Sequence, residues 1–313
     1  MQHHADVVLA AVHASDRSAV SPLSVSWRRS AVKHRLDPSS GAKRELLGGA
    51  ELEALREAHL PLLQVAIPVL DQLFQSVGLS GCGVVLTDAR GTILERRVRP
   101  GERADFTRAG LVEGARWSEA DEGTNGIGTC LVEDRPVVIH RNQHFASRNI
   151  DISCMDAPVH DPEGRLVAAL DVSSCRDDHD RAKAEMVAAL VREAARRIER
   201  DCFCRHFDAA RIVFAGDSAA GLELLAVDRD DLVIGASRAA RLRFALDDAQ
   251  LRESRPVAQV MGRDEAPSFE SGDRAVLRQA LARAQGNASA AARALGVSRA
   301  TFYRRCARAG FRT

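Results

Sequence analysis

Residues 287–306, near the C-terminus, have the sequence NASAAARALGVSRATFYRRC. This stretch predicts two short helices joined by a tight turn, because Gly296 permits the turn and Ser298 can cap the helix that follows. The alanines of the first helix would let the second helix cross it closely. Phe302 and Cys306 lie four residues apart and would face inward together. The arrangement is typical of a helix-turn-helix.

An apolar stripe just before this stretch predicts a further helix. Its members recur at helical spacing: Leu277, Ala280, Leu281 and Ala284. Gly286 stands where that helix should end, and Asn287 can cap the next one. We therefore predict an all-α helix-turn-helix domain over residues 269–313.

The outer face of the last helix would be basic and would contact duplex DNA. In a helix-turn-helix, the first residues of the second helix reach base edges while flanking groups hold phosphates. The candidate DNA-contacting residues are Asn287, Ser298, Arg299, Thr301, Tyr303, Arg304 and Arg305. Residues 270–313 carry a charge of +7, whereas the rest of this chain of net charge +1 carries −6. A solvated arginine-rich hairpin would explain the charge, but not the Gly-Val-Ser turn and its caps.

Length and composition narrow the class of protein. A chain of 313 residues has room for two or three domains. It has no run of 18 apolar residues and no basic-then-apolar start, so we expect neither a membrane span nor a signal peptide. Its seven irregularly spaced cysteines indicate free thiols in a reducing cytoplasm.

Residues 51–207 predict an α+β sensor domain, an antiparallel sheet with helices on one face. A helical apolar stripe begins at Glu51, and Pro61 and Pro68 should kink or break it. Apolar, β-branched runs between turn residues predict strands further along. The predicted elements are a hairpin over 82–98, a loop followed by a helix over 110–132, a strand over 135–139, a second hairpin over 154–173 and a helix from about 178 to 206.

Two further segments flank this domain. Residues 1–50 are polar and mixed, and we assign them to a separate polar and helical segment. Residues 225–240 predict strand, turn, strand and short helix, which is similar to the opening of a PAS domain but too short for a complete one. We assign 208–268 to this PAS-like segment and a linker that lies over 263–272.

Both ends of the chain resemble a family of bacterial transcriptional activators. Residues 24–207 resemble a GAF domain, and more specifically the N-terminal half of the acetoin-catabolism-regulator (AcoR-type) family. The C-terminal stretch resembles a Fis-type helix-turn-helix, with Phe302 where that pattern has leucine. The resemblance implies that the GAF domain senses a small organic molecule. The motifs that carry the GAF likeness are Ser26-Trp27-Arg28, Leu36-Asp37-Pro38, Val85–Asp88, Trp117-Ser118-Glu119, Gly123–Thr129, His144-Phe145, Cys154 with Ala157-Pro158-Val159, Asp161–Leu166, Leu170–Ser173 and Arg197-Ile198-Glu199.

The resemblance fails in the middle, where full-length members carry an AAA+ ATPase that drives sigma-54 promoter melting. A phosphate-binding loop needs a lysine directly after glycine. The three lysines of this chain, Lys33, Lys43 and Lys183, follow valine or alanine. The segment between the two resembling regions is also too short for such a domain, so we do not carry ATP hydrolysis over to this chain.

A candidate ligand pocket follows mainly from the resemblance. Its residues would be Trp117, Thr124, Asn125, His144, Phe145 and Cys154. The set has the character of a small-molecule site, which is mostly apolar with a few placed polar groups. Ordinary core packing, with Thr124 and Asn125 as a turn and cap, is the alternative.

We expect no metal, no cofactor and no catalysis. His140 and His144 lie where a predicted strand runs into a loop, so they would not share one face of a helix as two metal ligands would. Cys202 and Cys204 on a helix would point about 200° apart, so they could not bind one metal ion together. No nucleophile elbow or paired carboxylate set stands in a convincing context. A redox or metal sensor that uses Cys154 or the 202–204 region is a remaining alternative.

The long helix suggests a homodimer. Val187, Val191, Ala194 and Ile198, with Cys202, approximate a heptad seam that could pair two chains, although packing on the chain's own sheet is the alternative. Our leading hypothesis is a dimeric ligand-responsive regulator that binds DNA, with RNA polymerase as a further partner. The runner-up is a motor-less adaptor for an AAA+ activator, or an architectural DNA-binding protein.

Overall fold

The computed structural model describes residues 2–13, 21–41, 44–253, 255–262, 276–277, 280–281 and 284–309. The chain forms two compact units. The larger comprises Met1–Arg229 with Ile234–Asp247, and the smaller comprises Asp230–Val233 with Asp248–Thr313. The predicted linker at 263–272 lies outside the described residues.

A five-stranded antiparallel sheet is the centre of the larger unit. Its strands are β1 (Cys82–Thr87), β2 (Ile93–Arg97), β3 (Val137–His140), β4 (Ser153–His160) and β5 (Leu166–Ser174). They lie in the order β2-β1-β5-β4-β3. The two predicted hairpins and the strand between them are confirmed within two residues.

One face of the sheet is covered by two long helices. These are α4 (Leu60–Val77) and α8 (Arg181–His206), and the shorter α3 (Gly49–Ala58) precedes α4. Their inner faces pack on alternate residues of the strands, such as Met155 and Leu170. Pro61 lies in the first turn of α4, where a missing N–H costs nothing, so the predicted break falls just before it at His59. Pro68 lies inside α4 without ending it.

Helix α4 is also apolar enough to cross a membrane by length and composition alone. An 18-residue window within Leu60–Ser80 has a mean hydropathy of 1.3. One side of the helix, which includes Leu63, Leu70 and Leu73, packs in the main core against the sheet and α8. Core packing accounts for this part of its hydropathy, and 39% of the window is buried.

The opposite face of the sheet carries a second helical layer, so the prediction of helices on one face only was wrong. This layer contains α5 (Arg103–Ala109), α6 (Glu119–Glu122) and α7 (Gly126–Glu133). Two N-terminal helices, α1 (Gln2–His13) and α2 (Pro22–Arg28), belong to the same unit. Helix α2 continues as a π-helical turn, Arg29–Lys33.

The predicted heptad seam of α8 does not face outward. Val187, Val191, Ala194 and Ile198 are at most 8% exposed and belong to the core shared with α4 and the sheet. The seam prediction was therefore wrong, because the helix uses its apolar stripe to cover its own domain.

A small second sheet follows α8. It contains β6 (Arg211–Ser218), β7 (Gly221–Val227) and β8 (Val233–Ala236) in that order, and α9 (Arg238–Phe244) follows β8. The order strand, turn, strand and helix that was predicted for 225–240 is confirmed by β7, β8 and α9, but β6 was missed. The pattern of β6 is weak because most of its residues are partly or fully exposed.

The smaller unit is helical. Helices α10 (Asp248–Arg252) and α11 (Val257–Val260) precede α12 (Ala288–Ala294) and α13 (Arg299–Arg308). Residues 276–277 and 280–281 are helical too, as the apolar stripe predicts. The core of the last helices holds Leu277, Ala280, Ala291, Ala292, Phe302 and Cys306. Phe302 and Cys306 are both fully buried, which confirms the prediction for these two side chains.

Candidate sensor site and nucleic-acid interface

The six predicted ligand residues all lie in the second helical layer or on the sheet face beneath it. Each is at most 2% exposed, so the site is closed to solvent. The structure brings His144 and Cys154 into contact and places Trp117 in the same apolar cluster as Cys154. Phe145 instead packs in a separate cluster with the N-terminal helices. Asn125 caps α7 by accepting a hydrogen bond from the Gly128 N–H at 2.8 Å.

A chain of hydrogen bonds runs across β4 and β5 beneath α7. His144 Nδ1 lies 2.9 Å from the Arg141 carbonyl, which can only accept, so Nδ1 carries the proton. Nε2 therefore accepts from the Cys154 thiol at 3.4 Å. Ser173 Oγ lies 3.3 Å from Cys154 Sγ and donates to Asp171 Oδ2 at 2.8 Å.

Burial sets the protonation of this chain. It lowers the pKa of His144 to about 4, so the imidazole is neutral at neutral pH. It also raises the pKa of the Cys154 thiol well above its usual range, and the nearby carboxyls of Asp171 and Asp156 raise it further. A neutral thiol is a poor nucleophile and a poor metal ligand. Burial therefore disfavours Cys154 as a nucleophile in thiol chemistry.

Two buried carboxyls, which the sequence analysis missed, complete this face. Asp156 on β4 pairs in register with Asp171 on β5, and both side chains point to the α7 side of the sheet. Burial raises the pKa of Asp171 to about 7. Burial and then the charge of Asp171 raise the pKa of Asp156 well above its usual range. The two carboxyls also share a hydrogen bond, which the protonated Asp156 donates to Asp171.

Gly126 explains how α7 comes so close to these groups. A Cβ atom at this position would lie 2.1 Å from Asp156 Oδ2 and 2.4 Å from Cys154 Cβ. Any side chain here would push α7 away from the strands. Gly126 thus permits the close packing of α7 on β4, while Gly123 and Gly128 permit close approach to Phe145 and to the start of α6.

Helix α6 carries two buried glutamates beside the site, and each is paired with arginine. Glu119 accepts two hydrogen bonds from Arg29 Nε at 3.0 Å and one from Nη2 at 2.9 Å. Glu122 accepts from Arg44 at 2.6 Å and Arg148 at 2.8 Å. Burial acts to raise the pKa of Glu122, but the Arg44 guanidinium outweighs it and the pKa is lowered.

The N-terminal helices contact this layer through further polar and apolar groups. Ser26 Oγ lies 2.8 Å from Thr124 Oγ1, and the Trp27 indole donates to the Gln143 carbonyl at 2.8 Å. Val8, Val12 and Trp27 surround Phe145. We call residues 2–13 and 21–33 the N-terminal cover.

The candidate DNA-contacting residues lie on the outside of α12 and α13. Arg299, Tyr303, Arg304 and Arg305 are exposed, while Phe302 is fully buried on the opposite side of α13. Asn287 caps α12 by accepting from Ser289 N and Ala290 N, both at 3.1 Å. Ser298 caps α13, and its hydroxyl lies 2.8 Å from that of Thr301. These three side chains therefore shape the helix ends, and the exposed side chains form a basic surface with one aromatic ring.

Two family descriptions match the chain. "GAF domain" matches residues 61–198, and "Bacterial regulatory protein, Fis family" matches residues 268–308. The chain contains a GAF domain and a Fis-type helix-turn-helix. Residues 199–267, between the two matched regions, are too few to hold a central AAA+ domain.

Several curated relatives of the chain are named as transcriptional regulators. The chain is 30% identical over 222 residues to the acetoin catabolism regulatory protein of Cupriavidus necator, covering 69% of this chain and 33% of that protein. It is 30% identical over 148 residues to the acetoin dehydrogenase operon transcriptional activator AcoR of Bacillus subtilis, covering 47% of this chain and 24% of that protein. The matches thus span a third or less of these relatives' own length.

A further relative and a solved structure agree with this placement. The propane 2-monooxygenase operon transcriptional activator MimR of Mycolicibacterium smegmatis is 29% identical over 180 residues, or 56% of this chain and 28% of that protein. A chain in the crystal structure of the Escherichia coli DhaR(N)–DhaL complex superposes with a TM-score of 0.53 at 17% identity. That match covers 76% of this chain and 81% of the other, and it shows a shared fold.

Proposed function

We propose that this protein is a ligand-responsive transcription regulator of the bacterial cytoplasm. The observation that carries the proposal is the union, in one chain, of a sensor-type domain and a helix-turn-helix with an exposed arginine surface. The protein would act through DNA occupancy or contact with RNA polymerase, without hydrolysing ATP and without enzymatic activity of its own. As working domain boundaries we keep 1–50, 51–207, 208–268 and 269–313.

The effector would be a small metabolite that binds between α7 and the sheet. The predicted lining residues are Trp117, Thr124, Asn125, His144, Phe145 and Cys154, to which we add Asp156 and Asp171. Two features support a site here: a pair of buried carboxyls that share one proton, and a network of neutral polar groups beside them. Because the site is closed, entry would require the N-terminal cover or α7 to move.

A thermal-shift screen tests the sensor half. The panel should contain acetoin and other small alcohols, ketones, aldehydes and aromatic acids, since relatives control acetoin and propane-oxidation operons. We expect at least one compound to raise the Tm of the wild type and to lose that effect in His144→Ala and Asp171→Asn. A shift that persists in both variants would place binding elsewhere, and a panel without any shift would count against sensing.

Selection of bound duplexes from a random library tests the DNA half. We expect the selected duplex to bind more tightly than random DNA, with an affinity that falls steeply with salt. Arg299→Ala should weaken specific binding by about 1–3 kcal/mol if this side chain reads a base. Arg181→Ala, an exposed arginine on α8, is the matched control. Equal affinity for selected and random duplexes would argue against sequence-specific regulation.

We further propose that the protein binds DNA as a homodimer through the outer face of α8. Helix-turn-helix readers commonly pair over two half-sites. The heptad residues are occupied in the core, but Met186 and Leu190 are 73% and 45% exposed and lie one helical turn apart. Leu79, just after α4, is 81% exposed and adds to the apolar surface available for a partner.

A further inference from the structure

A large cleft lies on the α4–α8 side of the sheet, away from the proposed effector site. It has a volume of 770 Å³, within the range of small-molecule sites. Its walls come from the first turns of α4, the turn between β4 and β5, and the last turns of α8. The proposed effector site is on the other face of the same sheet, so the two sites do not share lining residues.

The walls of this cleft are mainly apolar and only partly covered. Leu62 and Val65 on α4 face Leu166 and Val167 on β5, and Cys202 on α8 closes one side. All five are intermediate in exposure. Unfilled apolar surface of this kind favours a ligand with an apolar body.

The charges at the rim of the cleft are unequal. Among the described residues that line the cleft, Asp161 is the one carboxylate, and it already accepts hydrogen bonds from Arg165 Nε at 2.9 Å and from two backbone amides. His160 is held between Glu199 and Asp134 at 2.6 and 2.7 Å. Neither residue is therefore available to a ligand without breaking existing contacts.

Arg205 differs from these residues. Its guanidinium is exposed at the rim and donates to the neutral Gln64 amide oxygen, and no carboxylate lies within ion-pair distance of it among the described residues. His206 adds a second donor, although it lies 3.3 Å from Glu163. A single positive charge beside an apolar cleft is complementary to an amphipathic anion.

We propose that this cleft is a second small-molecule site, which takes an apolar molecule carrying one anionic group, with Arg205 as the partner of the anion. The aliphatic walls hold the apolar body. The proposal does not depend on what the effector site binds, because the two sites lie on opposite faces of the sheet.

Displacement of a fluorescent probe from the full chain tests the proposal. The probe is 1-anilinonaphthalene-8-sulfonate, an apolar anion, and the competitors are octanoate and the uncharged 1-octanol. We expect saturable binding of one probe per chain, and octanoate should displace it about tenfold more effectively than octanol, the effect of one charge-assisted hydrogen bond. Arg205→Gln should abolish this preference.

Arg197→Gln is the matched control, since Arg197 on the same helix also contacts a glutamine, Gln72, but lies outside the cleft. It should keep the preference for octanoate. Val65→Trp should fill the cleft and reduce probe binding, with circular dichroism as a check of folding. If Val65→Trp does not fold, the comparison of Arg205→Gln with Arg197→Gln still tests whether Arg205 binds the anion.

Three results would overturn the proposal. The first is equal displacement by octanoate and octanol from the wild type. The second is a preference that survives Arg205→Gln. The third is probe binding that falls as protein concentration rises, which would mean that a second copy of the chain occupies the cleft.

Discussion

Replacing Asp171 with Asn should stabilise the larger unit at neutral and alkaline pH. Asp171 is fully buried beside Asp156, and burial raises its pKa from 3.8 to about 7. The folded state therefore prefers the protonated acid, whereas the unfolded chain ionises near pH 4. Asparagine keeps the shape and an acceptor for the Ser173 hydroxyl but does not ionise.

The sign and size of the effect follow from linkage. Below about pH 4 the acid is protonated in both states, and the folded protein has no penalty. As the pH rises from about 4 to 7, the unfolded state releases its proton first and the wild type loses stability. The full rise in pKa corresponds to about 4 kcal/mol, reached near pH 7 and constant above it. This figure is the ceiling for one replacement, because Asp156 titrates together with Asp171.

Urea unfolding at pH 5 and pH 8 measures this difference. Trp27 and Trp117, the two tryptophans of the chain, both lie in the larger unit and report its unfolding. The free energy of unfolding of Asp171→Asn should exceed that of the wild type by more at pH 8 than at pH 5. Asp105→Asn, which changes a half-exposed carboxylate, should show the same pH dependence as the wild type. A difference between Asp171→Asn and the wild type that is the same at both pH values would refute the reasoning.

Three further predictions concern the helix-turn-helix and the dimer. Phe302→Ala should cost about 3–5 kcal/mol in the smaller unit and abolish binding to the selected duplex, without changing the urea midpoint seen by tryptophan fluorescence; retained binding would contradict its role in the core. Asn287→Ala should lower the stability of the smaller unit by about 1 kcal/mol, measured by circular dichroism, and Asn287→Ser should restore most of it; an Ala variant as stable as the wild type would show that the cap is dispensable. Replacing Met186 and Leu190 together with Glu should shift the sedimentation coefficient from dimer to monomer; an unchanged dimer would exclude the outer face of α8.

The helix-turn-helix could be predicted almost completely from sequence because its signals are local. The Asn287 and Ser298 caps each act within three residues, and both form in the structure. Gly296 has a φ of +64°, the left-handed conformation that a tight turn requires of glycine. Each of these residues interacts with neighbours that are close in sequence, so the local sequence alone predicts where the helices begin and end.

The interior of the sensor site was only partly predictable. Period-two alternation along β4 and β5 could have placed Cys154 with Asp156, and Asp171 with Ser173, on one face of the sheet. No local pattern could have paired Arg29 with Glu119, since 90 residues separate them. Both are charged residues, which a sequence analysis normally assigns to the surface. The sequence predicts a helix within residues 110–132, where α7 lies, but not its position on the opposite face of the sheet. Short helices such as α6 were missed, because they become stable only through these distant contacts.

The misassigned seam of α8 shows what an apolar repeat can establish. The spacing of Val187, Val191, Ala194 and Ile198 identifies the buried face of the helix correctly, but it carries no information about what buries it. Once the sheet covers that face, any pairing through α8 must use the adjacent face that holds Met186 and Leu190. A shift in the packing of α8 on the sheet would then rotate the dimer contact directly, because both faces belong to one rigid 26-residue helix. In the proposed homodimer, this geometry would give a ligand in the proposed effector site a physical route to the spacing of the two helix-turn-helix domains.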